Sequence, residues 1–447
     1  MIAAYRNALR STSRDVRLFM VAVGVAGFSY MGVFLLLANL YLLRLDFDET
    51  FIGMFAATGA LSAAIFGLPA GIVGQRLGAR RSMIFGFALL ALGIGLLSVA
   101  ALLPRSWQAV WLLSCCVVRE LGNSLYNVNS NPFLMTATPV EQRGSIFALR
   151  NALANLAGFA GSSIGGFLPM IWVMAGGDSV EDPRAYMAPL LLAAFGLIPG
   201  VLALLATGPL MKRNEPMPVA TRLSEPLRDR ILGAAAHQQR PKPAPQKTPR
   251  PLATGPAGGA VPWAPLIILP VVGLLYITSV AASIGFFNVL MDRVFSLSTA
   301  RIGGLMAATQ LLCVPVILLM TAQARRFGTG NIVSLAAVLV AVGAVLQGNA
   351  THWMVAGAGF ILMGGLNGVF FSSITVYHQE VVHADWRPLM SGAFLTSCAL
   401  GWALTNSVGG YVIITWGYAP LFSIAAAATL AGALVFSLFA RSAAANP

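Results

Sequence analysis

The chain has 447 residues, of which 57% are hydrophobic and only 10% charged, with a mean hydropathy of +0.78. Soluble domains carry roughly 25% charged residues, so this composition excludes a water-soluble globular protein. The net charge of +13 does not mark a nucleic-acid binder, because the basic residues flank apolar runs and form no patch interleaved with aromatics.

A bilayer core about 30 Å thick takes about 20 apolar residues per helix. Runs of that kind are predicted at 17–43, 50–74, 82–103, 107–135, 144–170 and 187–209. After a break they resume at 263–291, 300–323, 331–350, 353–379, 388–414 and 419–440. The fold class is all-α and polytopic, with 12 transmembrane helices in two six-helix, pseudo-symmetric halves. The first run is too long for the core of a cleavable signal peptide. Three units follow: an N-terminal bundle (1–209), a Pro-rich basic linker (210–262) and a C-terminal bundle (263–447). The linker is too polar and proline-rich to bury a core, although 220–236 has the pattern of a short helix lying on headgroups.

With the N-terminus inside, most of the 28 basic residues fall on inner segments, whereas the outer loops hold Arg44, Arg105, Arg184, Arg293 and Arg301. The positive-inside rule places both termini and the linker in the cytoplasm, in contact with membrane lipids. Cys115, Cys116, Cys313 and Cys398 fall inside predicted helices and read as packing residues, with no disulfide framework or zinc spacing.

The two halves repeat each other. Asn39-x4-Arg44 at the end of the first run returns as Asn288-x4-Arg293, and Arg76-Leu77-Gly78 returns as Arg326-Phe327-Gly328. Asn123, Arg143 and Gly165-Gly166 reappear at one constant offset as Asn367, Arg387 and Gly409-Gly410. Repeats of a hydrophobic half-protein are the mark of transporters whose substrate site lies between the halves.

The segment Gly71-Ile-Val-Gly-Gln-Arg-Leu-Gly-Ala-Arg-Arg81 resembles the signature loop of the major facilitator superfamily, Gly-x-x-x-Asp-Arg-x-Gly-Arg-Arg/Lys. Arg76, Gly78, Arg80 and Arg81 match it, and Ala324-Arg-Arg-Phe-Gly328 is a weaker copy. Arg119-x-x-Gly122 resembles the family's second motif. The resemblance implies alternating access, with the loop residues Gly71, Gln75, Arg76, Gly78, Arg80, Arg81, Arg143, Arg326, Gly328 and Arg387 in gating roles. Two departures stand out. Gln75 replaces the acidic residue of the loop, which removes a charge from the gate. Gly161-Ser-Ser-Ile-Gly165-Gly166 resembles an antiporter pattern with Ser162 in place of proline, so the proline kink is not assured.

A charge at helix centre costs roughly 2.5–3.5 kcal/mol. Arg119, Glu120 and Arg150 are the cases here. Arg119 and Glu120 lie about 100° apart on a helix, a spacing that predicts separate partners rather than mutual neutralisation. Glu120 is the one carboxylate well inside a predicted span. Burial opposes its charge while Arg119 supports it, so it reads either as a proton-coupling group with Arg119 or as half of a fixed structural ion pair. Arg119, Asn123, Asn127 and Asn131 line one face of helix four, with Arg150, Asn151, Asn155, Ser162 and Ser163 on helix five. This polar face reads either as the wall of a substrate cavity or as interhelical hydrogen bonding. Asn39 and Asn288 read first as interface anchors, with substrate binding as the alternative. Gln310, Asn367, Tyr377 and Asn406, with Thr396, are further substrate-lining candidates in the second half.

His378, Glu380, His383 and Asp385 cluster near the inner end of helix ten. The histidines are five apart, so they do not share a face as zinc ligands do, and the cluster reads as a solvated helix end. No metal, cofactor or catalytic set is expected, so the protein is not read as an enzyme.

The resulting expectation is a secondary active transporter, monomeric, in a plasma membrane (bacterial inner membrane). It would move a small neutral or amphipathic molecule by proton-coupled efflux. The alternatives are an uncoupled or import-direction carrier of a sugar-like or nucleoside-like solute, and a membrane sensor that binds a ligand without moving it.

Overall fold

An apolar run in lipid must satisfy its backbone internally, and here every such run folds as a helix. The computed structural model describes residues 13–139, 142–177, 179–208, 263–382 and 386–445, so the linker 210–262 and its stretch 220–236 lie outside the described residues. The first half contains α1 (Arg14–Arg44), α2 (Glu49–Leu77), α3 (Ala79–Leu102) and α4 (Arg105–Ala137). It continues with α5, in two pieces (Arg143–Gly165 and Leu168–Met174), and α6 (Arg184–Leu205). The second half contains α7 (Trp263–Arg293), α8 (Thr299–Phe327), α9 (Thr329–Gly348), α10 (Trp353–Val381), α11 (Arg387–Trp416) and α12 (Tyr418–Ala445). Among the described residues 10 helices are long and apolar enough to cross a membrane; α4 and α8, the other two predicted spans, pack in the same bundles.

Start and stop signals are local. Asp48 accepts a hydrogen bond from the Phe51 amide at 2.9 Å and so caps α2. The α5 break falls at Gly166-Phe167, just before Pro169, rather than at Ser162. Within α1 the stretch Gly27–Phe34 is π-helical, and it meets α5 closely: a Cβ on Gly32 would lie 2.5 Å from the Gly161 Cα. Contact of backbone with backbone is how helices associate where lipid offers no hydrophobic drive.

The duplication is structural as well as sequential. In the first half α4 packs on α2 and α3, and α5 on α1; in the second α10 packs on α8 and α9, and α11 on α7. The halves meet along two seams, α2 against α11 and α5 against α8. We call the side with the α2–α3 and α8–α9 turns the near face and the side with the α1–α2 and α7–α8 connections the far face. Both near-face turns hinge on a glycine in the same conformation, Gly78 at φ 87° and ψ 145° and Gly328 at φ 86° and ψ 146°. Side chains avoid that region at a cost of about 1–3 kcal/mol. Gly78→Ala is therefore expected to lower the thermal unfolding midpoint in detergent, although nothing lies within 4 Å of the added Cβ. Gly304→Ala, also in open space but inside α8, serves as the control and should leave the midpoint unchanged or higher.

Candidate functional site

Arg119 and Glu120 of α4 are both buried, at 6% and 7% exposure, and form an ion pair with Nη1 to Oε1 at 2.7 Å. This corrects the expectation of separate partners. The guanidinium is long enough to turn back on its neighbour; Gly59 leaves it room, and Gly93 lets the α4 backbone come close to α3. A Cβ on Gly59 of α2 would lie 3.3 Å from Arg119 Nη2, and one on Gly93 of α3 would lie 2.7 Å from the Arg119 backbone nitrogen. The guanidinium also donates to the Tyr30 hydroxyl at 2.9 Å and to Cys116 Sγ at 3.4 Å, and stands 4.9 Å from the Phe34 ring centre. Tyr30 comes from the π-helical stretch of α1, a place where irregular helix marks functional sites.

From this pair a polar chain runs along α4. Asn123 Nδ2 donates to Glu120 Oε2 at 3.1 Å, and Asn127 Nδ2 donates to Asn123 Oδ1 at 2.6 Å. Asn127 and Asn131 are exposed on this face. Arg150 of α5 then donates to Asn131 Oδ1 at 2.5 Å and to Ser130 Oγ at 2.9 Å. The predicted asparagine stripe is thus a connected face that leads from a buried ion pair to an exposed polar end. Asn155, on α5, donates to its own helix at Asn151 and joins no partner on α4.

The second-half candidates divide. Asn367 accepts from the Tyr276 hydroxyl at 3.1 Å, beside Tyr276, Phe370 and Phe371 stacked between α7 and α10. Tyr377 stands apart, buried edge-on to Phe436 of α12. Gln310 and Asn406 sit in the two seams: Gln310 donates to Ser162 Oγ at 2.9 Å, and the Asn406 backbone carbonyl lies against Gly53. Each has a buried side-chain oxygen with no hydrogen-bond partner. Thr396 is exposed on α11.

Asn39 and Asn288 cross at the far face. Asn39 Nδ2 donates to the Gly285 carbonyl at 2.9 Å, and Asn288 Nδ2 donates to the carbonyls of Leu35 at 3.1 Å and Leu36 at 3.0 Å. Beyond them Arg44 forks onto Asp292 through bonds of 2.9 and 2.7 Å, with Glu181 Oε2 2.9 Å from its Nε. Tyr186 meets Thr299, and the Tyr418 hydroxyl donates to Glu49 at 3.1 Å. These bonds, with Gln310 to Ser162, join the halves in the far part of the spans, so the far face is shut.

At the near face Arg80 donates to Thr207 Oγ1 at 3.0 Å and to the Leu205 carbonyl at 2.6 Å, which fastens α3 to the end of α6. Arg143 closes α4 by donating to the Met135 carbonyl at 2.9 Å. Gln75, Arg76, Gly78, Arg81 and Arg387 are exposed, Gly71 and Gly328 half-buried, and the side chain of Arg326 lies outside the described residues. The expectation of a solvated end at His378 is corrected. It is 3% exposed, with its ring 4.5 Å from that of Phe394, because α11 folds back over it. His383 and Asp385 lie outside the described residues.

Tyr30, Glu181 and Asp292 were not singled out by sequence reasoning, and Cys116, read as a packing residue, also accepts from Arg119. Asp292 had a signal: it precedes the repeated Arg293, where the first half has Leu43 before Arg44.

Comparison with known proteins places these features. The sequence model of the Major Facilitator Superfamily matches residues 19–406. Uncharacterized MFS-type transporters of two Mycobacterium tuberculosis strains, CDC 1551 / Oshkosh and H37Rv, are 26% identical over 425 residues, covering 91% of this chain and 87% of theirs. The inward-open xylose transporter XylE from E. coli superposes with a TM-score of 0.69 at 12% identity, covering 96% of each chain. The nucleoside transporter NupG superposes with a TM-score of 0.68 at 15% identity, covering 95% of this chain and 99% of its own. At these identities the superpositions speak for the fold alone.

Proposed function

The chain belongs to the major facilitator superfamily, and within it we propose a proton-coupled carrier that exports a small neutral or amphipathic molecule across a bacterial inner membrane. Membership makes it a multi-pass membrane protein and a secondary transporter that works by alternating access. The proposed orientation puts the near face, with both termini, in the cytoplasm, following the distribution of basic residues.

The observation that carries the reading is the buried Arg119–Glu120 pair, joined through Asn123 to the exposed Asn127. A proton that reaches Glu120 along this face discharges the carboxylate and frees Arg119 from its counter-ion. Breaking a buried pair costs roughly 3–5 kcal/mol, enough to shift the balance between two packed states. Proton arrival at Glu120 is thereby tied to the position of α4 against α1, where Arg119 holds Tyr30. The wall offers neutral amides around one half-buried guanidinium, which suits a neutral or amphipathic solute. Export as the direction rests on the likeness of Gly161–Gly166 to the antiporter pattern.

The test uses everted vesicles energised by a pH gradient and a panel of amphipathic compounds. Native protein should dissipate the gradient when its solute is added, and Glu120→Gln should lose that response entirely while solute counterflow persists. The double variant Arg119→Gln/Glu120→Gln, which leaves no orphaned charge, should behave the same way. A gradient response that survives in both variants would remove the coupling role from Glu120.

A further inference from the structure

Within the membrane-spanning helices, away from their ends, the charges are Arg119, Glu120 and Arg150. The first two neutralise each other, so Arg150 is one positive charge in excess. Among the described residues the ion pairs involve Arg44 and Arg119, and no carboxylate reaches Arg150. Its acceptors are two neutral oxygens, Asn131 Oδ1 and Ser130 Oγ, which leave several of its five N–H groups uncommitted. The guanidinium is not drawn back along α5 to the near face. Arg150 lies about 10 Å along the helix from Arg143, and its fork is held sideways against residues equally far from the end of α4.

The repeat shows what stands opposite. At the offset that carries Asn123 onto Asn367 and Arg143 onto Arg387, Arg150 maps onto Phe394, Asn127 onto Phe371 and Asn131 onto Thr375. Phe371 and Phe394, the counterparts of Asn127 and Arg150, are in ring contact at 6.3 Å, whereas Arg150 itself bonds Asn131, the counterpart of Thr375. The same two places are therefore cationic and amide-lined on one side of the pseudo-twofold and aromatic on the other. From 302 to 324 in α8, and across α7 before Asp292, there is no Asp, Glu, Lys or Arg, so these two helices supply no counter-ion.

We propose that Arg150, with Asn127 and Asn131, binds the acid group of an amphipathic monoanion whose aromatic or alkyl body lies toward the half-buried Phe371, which Phe394 backs from the core. A carboxylate fits the planar guanidinium through two parallel hydrogen bonds and cancels the excess charge of the site. A dianion would leave a net negative charge in the low-dielectric region, and a cation would add to the positive one. This names the substrate class of the transporter read above and rests on that reading.

The test measures binding rather than transport, so it stands apart from the coupling experiment. Native protein in nanodiscs is titrated with phenylbutanoate, naphthylacetate and decanoate and with their primary amides, and saturable binding is read by equilibrium dialysis. At least one acid should bind, with its amide about tenfold weaker or more. Arg150→Gln should weaken the acid by about tenfold or more and abolish the difference between acid and amide, and Arg150→Lys should retain part of it. Phe371→Leu should weaken acid and amide together. Saturable binding of none of the acids, equal binding of acids and amides, or unchanged acid binding in Arg150→Gln would overturn the proposal.

Discussion

Neutralising Asp292 is expected to open the far face. Arg44 and Asp292 close it as a two-pronged pair, and each side chain is only 11% exposed. In the opened state both groups are solvated, so the pair weighs on one side of the equilibrium. Asp292→Asn leaves Arg44 with Glu181 alone, whose side chain is 71% exposed and whose contact is correspondingly weak. A loss of about 2–3 kcal/mol from the shut state follows, roughly a 30- to 150-fold shift toward open forms. Glu181→Gln should shift the balance by less than about threefold. Spin labels at Ser106→Cys and Thr351→Cys, exposed far-face positions in opposite halves, report the separation. The native cysteines would be replaced by alanine beforehand. The exchange Arg44→Asp/Asp292→Arg should restore the short distance. Equal distance distributions for Asp292→Asn and Glu181→Gln would remove Asp292 from the latch.

The bundle was readable because lipid imposes one rule on every span, and composition alone reports obedience to it. Helix ends were readable to within a few residues: the run predicted at 50–74 is Glu49–Leu77, capped by Asp48. What could not be read was the π-helical stretch Gly27–Phe34, since no residue type forces it. Its reason lies in tertiary packing, where Gly32 touches Gly161.

The candidate site was legible wherever a polar group had to be explained against an apolar background. Glu120, Asn123 and Asn127 stood out for that reason, and they are hydrogen-bonded in series. Pairing was harder. The spacing rule for helices speaks of Cβ directions, and Arg119 escapes it because its charge sits at the end of a long side chain that Gly59 leaves room to fold. Symmetry read at the level of motifs also hid information. Met363-Gly364 stands where the first half has Arg119-Glu120, and a Cβ on Gly343 would meet Met363 as one on Gly93 would meet Arg119. The same packing niche therefore holds an ion pair in one half and a thioether in the other.

The seams offer the sharpest mechanical expectation. Gly53 on α2 and Gly303 on α8 occupy equivalent places, at the offset that carries Arg76-Leu77-Gly78 onto Arg326-Phe327-Gly328. A Cβ on Gly53 would collide with the Asn406 carbonyl oxygen and approach Phe286 to 3.2 Å. One on Gly303 would lie 2.5 Å from the Ser162 carbonyl oxygen and 3.1 Å from the Gly166 Cα. One on Gly410, opposite α2, would lie 2.7 Å from the Thr50 Cα. These obstacles are backbone atoms, which cannot rotate away, so a larger side chain is a wedge between the halves rather than a local strain. Overpacking typically costs 1–3 kcal/mol, and here the cost falls on the shut far face alone. Gly53→Leu and Gly303→Leu are each expected to hold the far face open in most molecules, and together to abolish transport while the protein stays folded. In the Ser106/Thr351 label pair each variant should lengthen the distance, by a population shift comparable with that of Asp292→Asn. Gly304→Leu, one residue along α8 where nothing lies within 4 Å, should leave the distance unchanged. A short distance retained in both Gly53→Leu and Gly303→Leu would mean that the seams separate and reclose without backbone contact, and that the far face is shut by its polar latch alone.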